Sequence, residues 1–171
     1  MHSHGVEPSR ILLSRALHAA LAVLLLTAVH HAYGAYAYGT PWRLHVVAVA
    51  GLAALLLWGA AHVQYRHLAG KAHTVAWLVF CLVDLLLPVA GIGVFEGGYN
   101  HALKNALYFG EASTQLMARL FPSPVYELPG DWFFEATGIL QLALGMVAAY
   151  RLHRLVRHGL HARLRTRAGA A

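Results

Sequence analysis

Cysteine is nearly absent. The single Cys81 lies inside an apolar run, so neither an intramolecular disulfide nor a thiolate zinc cluster can form, and its expected role is that of a small core hydrophobe. Charge is also scarce: 12% of the 171 residues are Asp, Glu, Lys or Arg, about half the share usual in soluble domains. Serine and threonine are few and no Ser/His/Asp grouping stands out, which leaves a hydrolase reading without support. Gly91-Ile-Gly93 and Gly97-Gly98 lack the strand-to-helix setting of a dinucleotide loop. No His-Glu-x-x-His spacing occurs, nor the paired Glu-x-x-His of carboxylate di-iron bundles. The residues carry no resemblance to a characterised family.

What is present is apolar. Hydrophobic residues make up 58% of the chain and the mean hydropathy is +0.53. This material falls into four runs near 11–32, 44–65, 74–95 and 132–150, each close to the roughly 20 residues that cross a bilayer as a helix. Each span has to be helical, because lipid offers no partner for backbone N–H and C=O groups. The fold class predicted is all-α: one integral membrane domain over 1–171, a four-helix bundle with an outer amphipathic helix between the third and fourth spans.

The net charge of +6 is distributed by side of the membrane, with no basic domain for nucleic acid. Arg66 and Lys71 lie between the second and third spans, and Arg151, Arg154, Arg157, Arg163, Arg165 and Arg167 form a basic tail over 151–171. The positive-inside rule therefore predicts N-in, C-in topology in a bacterial-type inner membrane. The tail also carries Leu152, Leu155, Val156, Leu160 and Leu164 at helical spacing, as for a helix continuing onto anionic lipid. The opposite side collects Glu96, Glu111, Glu127, Asp131 and Glu135, five of the seven acids. A competing reading makes the first run a signal peptide cleaved near Ala35-Tyr36-Ala37, which would discard His30, His31 and Tyr33. His2 and His4 in the polar N-terminal tail would be no more than a weak metal hook.

Between 100 and 120, His101, Lys104, Asn105, Tyr108, Glu111 and Gln115 recur at three- and four-residue steps, predicting an amphipathic helix that lies on the outer surface as a lid. Gly97-Gly98 supplies the bend into it. The proline-rich stretch 121–131 should be extended, and Asp131 should cap the fourth span with Glu135 one turn in. In the third span Pro88 removes a helical hydrogen bond to Asp84, predicting a kink there. An intramembrane Asp84 is a functional candidate in its own right, with His18 and His62 as candidate partners.

The topology brings distant residues to one depth. His30 and His31 end the first span, His45 begins the second, Glu96 and His101 follow the third, and Glu135 enters the fourth. These six are the candidate metal ligands. Imidazole with carboxylate suits copper, iron, zinc or manganese, and helical bundles build such sites from inward side chains. Tyr33, Tyr99, Asn100, Lys104, Glu127 and Asp131 are candidates for supporting the ligands, Lys104 by keeping a carboxylate ionised. Metal handling or membrane redox chemistry follows, with a homo-oligomer or a membrane redox partner as its setting; whether a reaction is turned over is not written in the residues.

Three rivals stand beside it. The polar groups could be a satisfied cap at the lipid–water boundary. A single b-haem could use one histidine pair; two stacked haems are disfavoured because His18 and His30 lie about 120° apart on an ideal helix of about 3.6 residues per turn. Or a small lipid-soluble ligand could occupy a pocket at Asp84, His62 and Pro88.

Overall fold

The computed structural model describes residues 6–66, 69–123 and 125–168, with side chains from Ser9 to His161; His2, His4 and the side chains of Arg163, Arg165 and Arg167 lie outside them. Helix α1 (Val6–Ala37) leads through a single 3-10 turn, Pro41–Arg43, into α2 (Leu44–Arg66). Helix α3 (Gly70–Asp84) passes without a break into a π-helical segment, Leu85–Leu103, and then α4 (Lys104–Phe109). After the short α5 (Thr114–Leu120) comes α6 (Trp132–Ala168). No strand occurs among the described residues.

Four helical stretches are long and apolar enough to cross a membrane: Ser9–Ala37, Pro41–Arg66, Gly70–Phe109 and Trp132–His161. Much of their apolar surface faces outward, with Leu25, Leu55, Val94 and Met146 all more than 60% exposed. In water that surface would be a large liability; in lipid it is solvated. The inner contacts are made by small residues instead. Ala16, Ala20, Ala53, Ala60 and Ala61 let α1 and α2 approach closely around Leu13, Leu57 and Phe80.

Helix α6 packs against both α1 and the π segment, and glycines set the distance to the latter. A Cβ on Gly93 would meet the backbone of Gly145 at 2.7 Å, and one on Gly97 would strike the backbone of Leu142. Gly97 and Gly98 therefore serve close packing, and the helix runs straight through them to Phe109 instead of bending away. The departure from α geometry begins earlier, at Leu85, three residues before Pro88. The missing Pro88 N–H is thus met by a changed hydrogen-bond pattern that starts immediately after Asp84.

The expected lid helix over 100–120 is divided. Its first part is the end of the third long helix, and the chain turns at Gly110 and at Glu111, which has φ 58°. Ser113 then caps α5, accepting from the Leu116 N–H at 3.3 Å. Only the first half of the polar stripe points inward: His101, Lys104 and Asn105 are buried, whereas Tyr108, Glu111 and Gln115 are exposed along with Leu103 and Phe109. Asp131 caps α6, accepting from the Phe134 N–H at 2.9 Å, and α6 continues through the basic stretch to Ala168.

Candidate metal centre

The end of α1, the π segment and the first turns of α6 meet at the end of the molecule that carries the longer connections. His30, His101 and Glu96 offer ligand atoms within 4.8 Å of one another. In an α-helix, residues five apart would diverge by about 140°. The i→i+5 repeat of the π segment brings Glu96 and His101 to one side, which is how they share the centre.

The Nε2 atoms of three histidines surround one carboxylate oxygen. Glu96 Oε1 lies 3.8 Å from His30 Nε2, 3.8 Å from His31 Nε2 and 3.6 Å from His101 Nε2. All three rings are buried, and His30 Nε2 has no hydrogen-bond partner.

Each Nδ1 is occupied on the other side of its ring. His31 Nδ1 faces the Thr27 carbonyl at 3.1 Å. His101 Nδ1 faces Glu135 Oε2 at 2.8 Å. His30 Nδ1 faces Thr137 Oγ1 at 2.9 Å, and that hydroxyl donates its own proton to the carbonyls of Phe133 and Phe134 at 2.7 and 3.0 Å. A carbonyl and a carboxylate accept only, and a hydroxyl that has given its proton accepts too. All three Nδ1 atoms therefore donate. In the neutral rings the three Nε2 lone pairs are left pointing at Glu96, the tautomer and orientation that outer partners impose on metal-binding histidines.

Glu96 is itself oriented, since Asn100 Nδ2 donates to its Oε2 at 2.8 Å. Phe134 stacks on His30 with ring centroids 4.1 Å apart and meets His101 edge-on. A Cβ on Gly138 would fall on the His101 ring, so only glycine leaves room for that imidazole.

Glu135 has a different place from the one expected. Its carboxylate is taken up by His101 Nδ1, by Lys104 Nζ at 2.9 Å and by Asn105 Nδ2 at 2.5 Å. It holds the His101 ring from behind and is not one of the three groups that come within 4.8 Å of one another. Lys104 also donates to the Glu127 carbonyl at 2.7 Å, and the Glu127 carboxylate lies 3.7 Å from Arg43. His45 is exposed, stacked on Trp42 and bonded to the Trp42 carbonyl, at the rim of the recess. Tyr99 donates to the Leu120 carbonyl at 2.8 Å and fastens α5. Tyr33 donates to Asp131 Oδ2 at 2.6 Å, and this bond, with the cap bond from Phe134, holds the Asp131 carboxyl below the usual range.

Asp84 is fully buried and its two oxygens have no partner among the described residues. His18 and His62 do not reach it: His18 is exposed and bonded to Ser14, and His62 is exposed and stacked on Trp58.

Thr27, Asn105, Thr137, Arg43 and Phe134 also build the site, and the sequence did not single them out for it. Thr27 lies one helical turn before His31 and Asn105 one turn after His101, a faint signal, since polar residues at such spacings are common on any helix.

Compared with family models, with curated proteins and with solved structures, the chain has no match in any of the three.

Proposed function

We propose that the protein is a multi-pass membrane protein that binds one divalent first-row transition metal ion through His30, His101 and Glu96, with His31 as the adjacent donor. One observation carries this reading: three Nδ1-tethered histidines and a carboxylate direct their free lone pairs into one small buried volume. With the three rings neutral, their Nε2 lone pairs and the Glu96 carboxylate face one another with no proton between them, the arrangement a cation satisfies. The separations exceed a hydrogen bond, which counts against a merely satisfied polar cap. They lie a few tenths of an ångström above the ~3.3 Å edge of a tetrahedron with bonds of about 2.0–2.1 Å. Two histidines and a carboxylate match a facial triad, and the mixed nitrogen and oxygen set favours transition metals over calcium or magnesium. The cavities beside the histidines, about 190 and 200 Å³, fall short of the roughly 300–1,000 Å³ usual for cofactor pockets, which disfavours haem.

The four apolar helices form a bundle with N-in, C-in topology, supported by the basic residues at one end and the acids at the other. The centre then lies near the outer interface, in reach of metal arriving from that side, and the protein acts in metal handling or membrane redox chemistry. Elemental analysis of protein purified in mild detergent without a histidine tag tests the reading. Stoichiometric metal in the wild type, lost in Glu96→Gln and His101→Ala, is the expected result. Added metal that binds the wild type no better than these variants overturns it.

A further inference from the structure

Two cavities meet at the centre, and one carries more charged side chains than the other. One, of about 200 Å³, is a recess at the loop-rich end where the charged or polar Arg43, His45, Lys104 and Glu127 join aromatic and aliphatic walls. The other, of about 190 Å³, lies between α1, α2 and the π segment and is walled by Leu24, Val49, Ala50, Leu87 and Ile92. His31, Val46 and Glu96 border both, so the His31 ring and the Glu96 carboxylate stand between the two. The apolar cavity is flanked by outward-facing Val49, Leu52 and Leu86, and in a bilayer its mouth faces acyl chains. It exceeds the ~150 Å³ of an apolar cavity that stays dry and takes up benzene. Its polar groups are Thr27, His31 and Glu96, and His30 Nε2 stands unpartnered immediately behind them.

We infer that this cavity binds a lipid-soluble molecule of the phenol or quinol class, its ring among Leu24, Ala50 and Ile92 and its hydroxyl at His31 and Glu96. The ring matches the volume and the apolar wall. The hydroxyl supplies a donor to Glu96 or a further oxygen beside His31 to a metal held there, and a phosphate-bearing head would be too large and too strongly hydrated for it. The inference rests on the metal reading for that oxygen and stands on the cavity alone for the ring.

Cobalt(II)-loaded protein in nanodiscs, titrated with 4-propylphenol and separately with propylbenzene, tests it. The phenol is expected to shift the visible cobalt bands saturably, and propylbenzene to leave them in place. Ala50→Phe and Val49→Trp, on the wall opposite the π-segment ligand Glu96, should keep the cobalt and weaken the phenol at least tenfold. Bands that ignore the phenol, or respond alike in wild type and both variants, overturn the inference. If the wild type takes up no cobalt, the metal reading fails by itself, and equilibrium dialysis of labelled 4-propylphenol against metal-free nanodiscs decides the cavity. Saturable binding lost in either variant supports it; partitioning equal to that of protein-free nanodiscs overturns it.

Discussion

Two sets of polar side chains are buried in this molecule, and they differ in how they are satisfied. At the loop-rich end, Glu135 is held by His101, Lys104 and Asn105, and Glu96 by Asn100, so that the atoms left without partners point at one another. Further along, the Asp84 oxygens and the amide of Gln141 are equally buried, yet no side chain or backbone group among the described residues comes to meet them. Burial alone does not distinguish a site from an isolated polar residue. Convergence does, and it depends on a supporting shell that fixes each ring. If that is the right lesson, damage to the shell at the first region should cost both affinity and stability, whereas removing the lone carboxyl at the second should cost neither.

Among substitutions outside the proposed ligands, Glu135→Gln should have the largest effect. The substitution keeps the shape but leaves Lys104, which is 2% exposed, without its charge partner. Breaking a buried pair from one side costs about 3–5 kcal/mol. Loss of the carboxylate behind His101 should also lower metal affinity about 10–100-fold, less than removal of a ligand. Thermal unfolding and competitive metal titration on the same preparation check both. A variant that binds metal as the wild type does would return Glu135 to a purely structural role.

Asp84→Ala sharpens the contrast from the other side. Leaving a buried acceptor unmet costs about 1–3 kcal/mol, so deleting both oxygens should raise stability by a similar amount and leave metal binding unchanged. A fall in stability or in metal content would mean that Asp84 has a partner in the membrane and that the two regions are alike.

The four apolar helices were legible in the sequence because a span must be long, apolar and helical, and those demands leave little freedom. The candidate centre was legible only as a collection of residue types. His30, His31, Glu96 and His101 were identified by depth, but depth cannot say that Glu96 and His101 face one way. That needs the π repeat, which Pro88 and the glycines at 91, 93, 97 and 98 accompany without specifying. Glu135 was expected as a ligand because a helix face looks the same whether its carboxylate meets a metal or the histidine behind one. His45 borders the same recess as Glu96 and His101 but is exposed and lies outside the group of three that come within 4.8 Å of one another. In the polar repeat over 100–120, His101, Lys104 and Asn105 face Glu135 of α6 while Tyr108, Glu111 and Gln115 are exposed, and Gly110 with Glu111 ends the helix before the pattern does.

The smallest expected effect is at the edge of the first region, where Tyr33 holds Asp131. In Tyr33→Phe the Asp131 carboxylate loses the 2.6 Å phenol bond and keeps its cap bond to the Phe134 N–H. The loss should be small, because the pair is close to solvent and water replaces the phenol. Its pH dependence is the sharper signature. Asp131 has a folded-state value below that of an ordinary aspartate, the Tyr33 bond being the first cause. The bond therefore stabilises the fold fully above the unfolded value of about 3.9 and ceases to do so as pH falls through the lower, folded value. Wild type and Tyr33→Phe should accordingly differ at neutral pH and converge in acid, with the Asp131 carboxyl carbon titrating at higher pH in the variant by NMR. A difference that persists unchanged after the pH has fallen through that lower, folded value would mean that the Tyr33 ring acts through its packing against Phe133, and that the cap of α6 does not depend on the hydroxyl.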